Sequence, residues 1–289
     1  MDQVSTYVLA AALCIIMLGM GLSLVTDDFK NIFRYPKAIF IGLLNQLVFL
    51  PLIAFGIVTL LPMEPEIAIG VMILAACPGG PTSNLISFMA KADLALSVSL
   101  TALSSLITIV TIPFMVNFAL TYFLDQGQEI QLDVLQTIAQ IFVIVVIPIA
   151  IGMGIKKKKP VFADKMGRPV RIASGIILGV IILGIVLKER AHFVEYIEKA
   201  GLATLALNLF TMGIGYLTAK ALKLNRKQGY SIAIESGIQN GTLAITIAVV
   251  LLGNTAYAIA PAVYSLLMFF TGFFVVWLSL RKDKKETSV

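Results

Sequence analysis

Residues 234–242 read Ile234-Glu235-Ser236-Gly237-Ile238-Gln239-Asn240-Gly241-Thr242, inside an otherwise apolar run from about 229 to 252. A run of that length can cross the hydrocarbon core, which takes about 20 residues of helix. Its middle is wrong for a plain helix. Gly237 and Gly241 each weaken helix by roughly 1 kcal/mol, and the side chains between them are polar. The backbone is expected to unwind here. Non-helical backbone at that depth survives only where it is buried in protein or lines a wet cavity. Glu235 is the one acidic residue of 16 that falls outside loops, tails and span ends. An ionisable group so placed is costly unless partnered and marks a functional site; the competing role is a protonated carboxyl in a structural hydrogen bond.

A second interruption lies at Cys77-Pro78-Gly79-Gly80-Pro81-Thr82-Ser83-Asn84, within the run 67–90. Pro78 and Pro81 each remove an amide donor and crowd the preceding turn. Gly79 and Gly80 permit backbone angles that a helix does not use. Aligning Asn84 with Asn240 puts a polar residue just before each (Ser83, Gln239) and a glycine earlier (Gly80, Gly237). The two segments would run in opposite directions. Paired interruptions in corresponding places of two inverted halves point to a transporter binding site. Each break exposes carbonyls that can replace the water shell of a hard cation, and amide ends that favour an anion.

The rest of the chain fits that setting. It has 289 residues, 58% hydrophobic and 13% charged, with mean hydropathy +0.95; a soluble domain carries about 25% charged residues. Apolar runs fall at 5–25, 37–61, 67–90, 94–117, 133–155, 170–188, 200–222, 229–252 and 257–280, which predicts an all-α membrane protein of nine spans. The first run follows Met-Asp-Gln and lacks a basic n-region, so it is taken as a span and not a signal peptide. With the N-terminus outside, 19 of the 22 Lys and Arg residues lie on the inner side, leaving Lys188, Arg190 and Lys199 outside. This bias predicts a multi-pass protein of the inner (plasma) membrane with a cytoplasmic C-terminus. The net charge of +6 is then a topology signal and not a nucleic-acid footprint. The run Lys156 to Lys159 reads as a cytoplasmic stop against lipid headgroups. Cys14 and Cys77 sit in apolar runs with no ligand spacing, and His192, the one histidine, lies in a polar connection.

Further polar residues occur within other spans. Asn45 and Gln46 lie in the second. Ser97, Thr101, Ser104 and Thr108 share one helical face of the fourth. For Ser104 and Thr108 the reading is helix packing; for Ser97 and Thr101, level with the break in span three, it is ion coordination.

Gly19-Met20-Gly21-Leu22, Pro78-Gly79-Gly80-x-x-Ser83-Asn84, Ala95-Leu96-Ser97-Val98-x-x-Thr101, Gly213-Ile214-Gly215-Tyr216 and Ile234-Glu235-x-Gly237-x-Gln239-Asn240 together resemble the bile acid:sodium symporter family over nearly the whole chain. The resemblance implies an inverted repeat with two crossed, discontinuous helices. The whole chain, 1–289, would be a single transmembrane unit, with a core of about 37–117 and 200–280 and a panel of about 5–25 and 133–188. It implies two sodium ions. One would be held by Ser83, Asn84, Ser97, Thr101 and Glu235; the other by Gln46, Glu235 and Gln239 with backbone carbonyls near Ser236 and Ile238. Thr82, Asn84 and Asn240 would meet the carboxylate of a small organic anion. Leu267-Met268-Phe269 and Thr211-Met212 stand where bacterial relatives often carry Trp-His-Asn and His-Asn, which implies a more apolar cavity. The substrate is expected to be a bile-acid-like amphipath or a small carboxylate such as pantoate. The partners implied are that anion, sodium and the lipid bilayer, with no nucleic acid and no protein partner. A proton-driven or passive organic-anion permease is the alternative. An intramembrane enzyme is disfavoured, because no His, Asp or Lys lies in the core of any span.

Overall fold

A computed structural model describes residues 3–124, 132–188 and 193–286; Arg190 and His192 lie outside the described residues. Among the described residues the structure is helical throughout, with no strand. The helices in order are α1 (Gln3–Gly21), α2 (Thr26–Arg34), α3 (Pro36–Leu44), α4 (Leu50–Leu60), α5 (Pro65–Ala76), α6 (Pro81–Met89), α7 (Leu94–Phe123), α8 (Val134–Ile141), α9 (Ile147–Lys158), α10 (Pro160–Lys188), α11 (Phe193–Ala221), α12 (Arg226–Gly237), α13 (Gly241–Thr246) and α14 (Ile259–Glu286). Single π turns join α3 to α4 (Asn45–Phe49) and α8 to α9 (Phe142–Val146), and a third extends α13 (Ile247–Leu251).

Among the described residues, five continuous stretches are long and apolar enough to cross a membrane: 36–60, 94–123, 134–158, 200–221 and 256–281. Shorter apolar helices cover 7–21, 65–76, 175–184 and 241–251. The pattern of burial is the reverse of a water-soluble protein. Phe118, Phe142, Leu183, Phe210 and Phe274 are exposed, whereas Ser83, Ser97, Thr101, Thr204 and Asn208 are fully buried. Apolar surface faces outward because the surrounding solvent is hydrocarbon, and polar groups face inward to find partners there.

Helix starts follow the local chemistry. Pro65 and Pro81 open α5 and α6, where a missing amide costs nothing because the first-turn N–H groups have no intrahelical partner. Asp93 accepts from the Leu96 amide at 3.1 Å to cap α7. Asn225 and Gln228 form a capping box at α12. Asn240 accepts from the Leu243 amide at 3.1 Å to cap α13.

α12 packs against α11, α7 and α6; α5 packs against α7, α14 and α4; α1 packs against α9 and α10. At the α9–α10 turn Lys156 pairs with Asp164.

Several expected boundaries move. The first run, expected over 5–25, ends as helix at Gly21, and the charged stretch after it folds as α2. There Asn31 donates to Ser99 Oγ of α7 at 3.0 Å. The fourth span continues to Phe123 and the sixth helix starts at Pro160, with Pro113 and Pro169 carried inside these helices.

Candidate functional site

Both predicted breaks are present, and they meet. Helix is lost over Cys77–Gly80 and over Ile238–Asn240. Gly79 and Gln239 form an antiparallel bridge, and the Asn240 amide donates to the Pro78 carbonyl at 2.9 Å. The two interrupted segments therefore cross and are joined backbone to backbone. Close approach explains Gly79: a Cβ there would lie 2.5 Å from Glu235 Oε2 and 3.2 Å from Ser83 Oγ.

Glu235, 3% exposed, projects from α12 into a cluster of oxygens. Ser97 Oγ donates to its Oε1 at 2.5 Å, and Thr101 Oγ1 stands 2.8 Å from its Oε2. Asn84 Oδ1 lies 3.0 Å from Ser97 Oγ and 3.2 Å from Thr101 Oγ1. Ser83 Oγ donates to the Gly80 carbonyl at 2.8 Å and lies 3.5 Å from Thr101 Oγ1. A hydroxyl carries one proton. The three hydroxyls face both Glu235 oxygens and Asn84 Oδ1, and they also lean on the Gly80 and Ser97 carbonyls, of which the Gly80 carbonyl already accepts the Ser83 amide at 3.1 Å. Among the described residues the ion pairs are Lys30–Asp27 and Lys156–Asp164. Neither pair brings a cation to the Glu235 carboxylate.

On the other side of the crossing Gln46 Nε2 donates to the Cys77 carbonyl at 3.2 Å and to Gln239 Oε1 at 2.7 Å. Gln239 Nε2 reaches the Ser236 carbonyl at 2.8 Å and the Glu235 carbonyl at 3.4 Å. Gln46 Oε1 is buried with no hydrogen-bond partner. The π turn at Asn45–Phe49 carries Gln46, and such turns recur at functional sites. Ser236 turns its hydroxyl back to the Ile232 carbonyl at 2.8 Å, leaving its own carbonyl as the group facing the break. Ile238 is the extended residue that ends α12. The structure thus brings Ser83, Asn84, Ser97, Thr101 and Glu235 into one cluster and Gln46, Gln239, Ser236 and Ile238 beside it. Ser104 and Thr108 spend their hydroxyls on their own helix, at 3.2 Å each.

Two adjoining cavities lie between α1 and α10 on one side and the crossing on the other. The first, about 190 Å³, is lined by Gly80, Thr82, Gln239, Asn240, Met268 and Phe269 among others. The second, about 370 Å³, is lined by Met20, Asn84, Phe88, Val98 and Val170 among others. Ile16, Pro81 and Leu85 border both. Thr82 and Asn240 face the smaller cavity and Asn84 the larger. Among the described residues, neither lining contains a charged side chain.

The sequence reading missed Asn208 and Tyr264. Asn208 Nδ2 and Tyr264 Oη donate to the Gly237 carbonyl at 2.6 and 2.7 Å. A buried Asn in the middle of an apolar span was the available signal for the first; Tyr264 gave none.

The sodium bile acid symporter family model matches residues 10–196. An uncharacterized sodium-dependent transporter of Bacillus subtilis is 32% identical over 98% of this chain and 86% of its own length. A probable chloroplastic sodium/metabolite cotransporter of Arabidopsis thaliana is 31% identical over 88% of this chain and 62% of its own. The ileal sodium/bile acid cotransporter of Oryctolagus cuniculus is 28% identical over 86% of this chain and 70% of its own. These relatives are named as transporters and not as enzymes, and with the family match and the apolar helices they make the chain a multi-pass membrane protein that belongs to the sodium bile acid symporter family.

Proposed function

We propose that the chain is a sodium-coupled symporter of organic anions that works by alternating access. The buried Glu235 carboxylate, ringed by side-chain oxygens and with no cation beside it among the described residues, carries this reading. The cluster lacks positive charge. A hard monovalent cation supplies that charge and takes several oxygens at once. Ser83, Asn84, Ser97, Thr101 and Glu235 would hold one sodium ion. Gln46, Glu235, Gln239 and the carbonyls near Ser236 and Ile238 would hold a second, which gives the unpartnered Gln46 Oε1 a role. Both ions tie α12 to the neighbouring helices, so an empty site leaves the crossing less firmly set.

The anion would bind in the adjoining cavities with its carboxylate at Thr82, Asn84 and Asn240, near the N-terminal ends of α6 and α13. An apolar lining supports an amphipath of bile-acid type or a small carboxylate; two of the relatives named above are a probable sodium/metabolite cotransporter and a sodium/bile acid cotransporter. The five long apolar helices and four shorter ones coincide with the nine expected spans, which supports nine passes with the N-terminus outside, in the plasma membrane. In this reading α3 to α7 and α11 to α14 form the core, and α1 with α8 to α10 forms the panel that the core moves against.

Uptake of radiolabelled taurocholate and of pantoate into proteoliposomes, with and without an inward sodium gradient, tests the proposal. Uptake should require sodium and fail in Glu235→Ala. Uptake driven by a pH gradient in sodium-free buffer, with Glu235→Ala fully active, would instead establish a proton-driven or passive permease.

A further inference from the structure

The cation cluster lies on one face of the break that ends α12, and the opposite face is also fastened. A helix leaves its last four carbonyls without intrahelical partners, and in a membrane interior each must be met from elsewhere. At α12 all four are accounted for. The Ile234 carbonyl accepts from the Ile238 amide at 2.8 Å. The Glu235 and Ser236 carbonyls share Gln239 Nε2. The Gly237 carbonyl takes two donors from two other helices, Asn208 Nδ2 of α11 and Tyr264 Oη of α14. Both side chains are fully buried.

The first break carries a single-donor version of the same device: Gln46 Nε2 holds the Cys77 carbonyl at 3.2 Å. Gln46 and Asn208 also share an odd feature, a buried amide oxygen with no partner. In each half, then, an amide side chain from a neighbouring helix holds the carbonyl at or just after the helix end. Gln46 belongs to the candidate cation site; Asn208 does not touch it.

We infer that Asn208 and Tyr264 are positioning residues for sodium, an inference that rests on the sodium-coupled reading above. Their hold on the Gly237 carbonyl fixes the peptide between Glu235, two residues before it, and Gln239, two residues after. Without those donors the buried carbonyl must recruit another, and the donor on the same turn is Gln239 Nε2. Moving that amide would release the Ser236 carbonyl and disturb the 2.7 Å Gln46–Gln239 bond. The cation ligands would still be present, but no longer aimed together.

The test is sodium titration of uptake by Tyr264→Phe, Asn208→Ala and the double variant. Loss of one donor should raise the sodium concentration for half-maximal uptake about fivefold. The double variant should exceed the product of the two, because the carbonyl is then wholly unsatisfied. Maximal uptake at saturating sodium should stay within about twofold of the parent. In thermal unfolding, stabilisation by added sodium should shrink while the sodium-free midpoint changes little. Thr204→Ala, on the same helix as Asn208, serves as the control, since its hydroxyl bonds the Ala200 and Gly201 carbonyls of its own helix; its sodium titration should match the parent. Should Asn208→Ala fail to accumulate, Tyr264→Phe decides, as it removes one oxygen and keeps the ring. An unchanged sodium titration in Tyr264→Phe overturns the inference, as does a lower sodium-free midpoint with undiminished sodium stabilisation. Sodium-independent uptake by the parent protein would sink the coupled reading itself, before any variant is compared.

Discussion

The crossing has two neighbours of opposite character. Around Glu235, Ser83, Ser97 and Thr101 are wholly buried, and every oxygen is held at 2.5 to 3.5 Å from another. Next to it, the cavities are walled by Ile16, Leu85, Val98, Met268 and Phe269, with a few polar groups where the breaks face them. Several fixed oxygens around a small ion tolerate little displacement, because a cation in low dielectric loses heavily when any ligand leaves. An apolar wall contributes in proportion to the area it covers and constrains shape only loosely. In the proposed reading, the contrast assigns ion discrimination to the rigid oxygen cluster and a tolerance for varied amphipaths to the apolar wall.

Substitutions that break this contrast should fall in order. Glu235→Ala removes the only charge in the cluster and should reduce sodium-driven uptake by about a hundredfold or more, with sodium no longer raising the unfolding temperature. Gly79→Ala drives a Cβ to within 2.5 Å of the carboxylate; a roughly tenfold weaker sodium dependence is expected from uptake titrations. Ser97→Ala or Thr101→Ala removes one ligand each and should weaken half-saturation by sodium about fivefold, with little effect on substrate KM at saturating sodium. Phe269→Ala should do the reverse, moving substrate KM about threefold while leaving the sodium titration unchanged. Ser104→Ala, on the same helical face as Thr101 but bonded within α7, should change either quantity by less than about twofold. An equal response of sodium and substrate parameters to Phe269→Ala and Ser97→Ala would erase the proposed division of labour.

Much of this could be seen in the sequence because the interruptions use residues with few other purposes in an apolar span. Pro78-Gly79-Gly80-Pro81 and Gly237 to Gly241 cannot continue a membrane helix unaided, so the breaks declare themselves. Ser97 and Thr101 are one turn apart on α7, and that spacing alone puts both hydroxyls on one face. What stayed hidden depends on which helices become neighbours. Tyr264 reaches the Gly237 carbonyl across 27 residues of sequence, and Asn208 across 29; no periodicity links such positions. The α2 helix was hidden for another reason. Its nine residues are mostly polar, and their charges read as the edge of a span until Asn31 is seen docking on α7.

The bond from the Asn240 amide to the Pro78 carbonyl and the bridge between Gly79 and Gln239 join peptide to peptide. Met268 and Phe269 of the cavity wall take no part in that rivet. In the proposed reading, exchanging Met268 or Phe269 would refit the chamber beside it for a different cargo without loosening the backbone bonds that join the two interrupted helices.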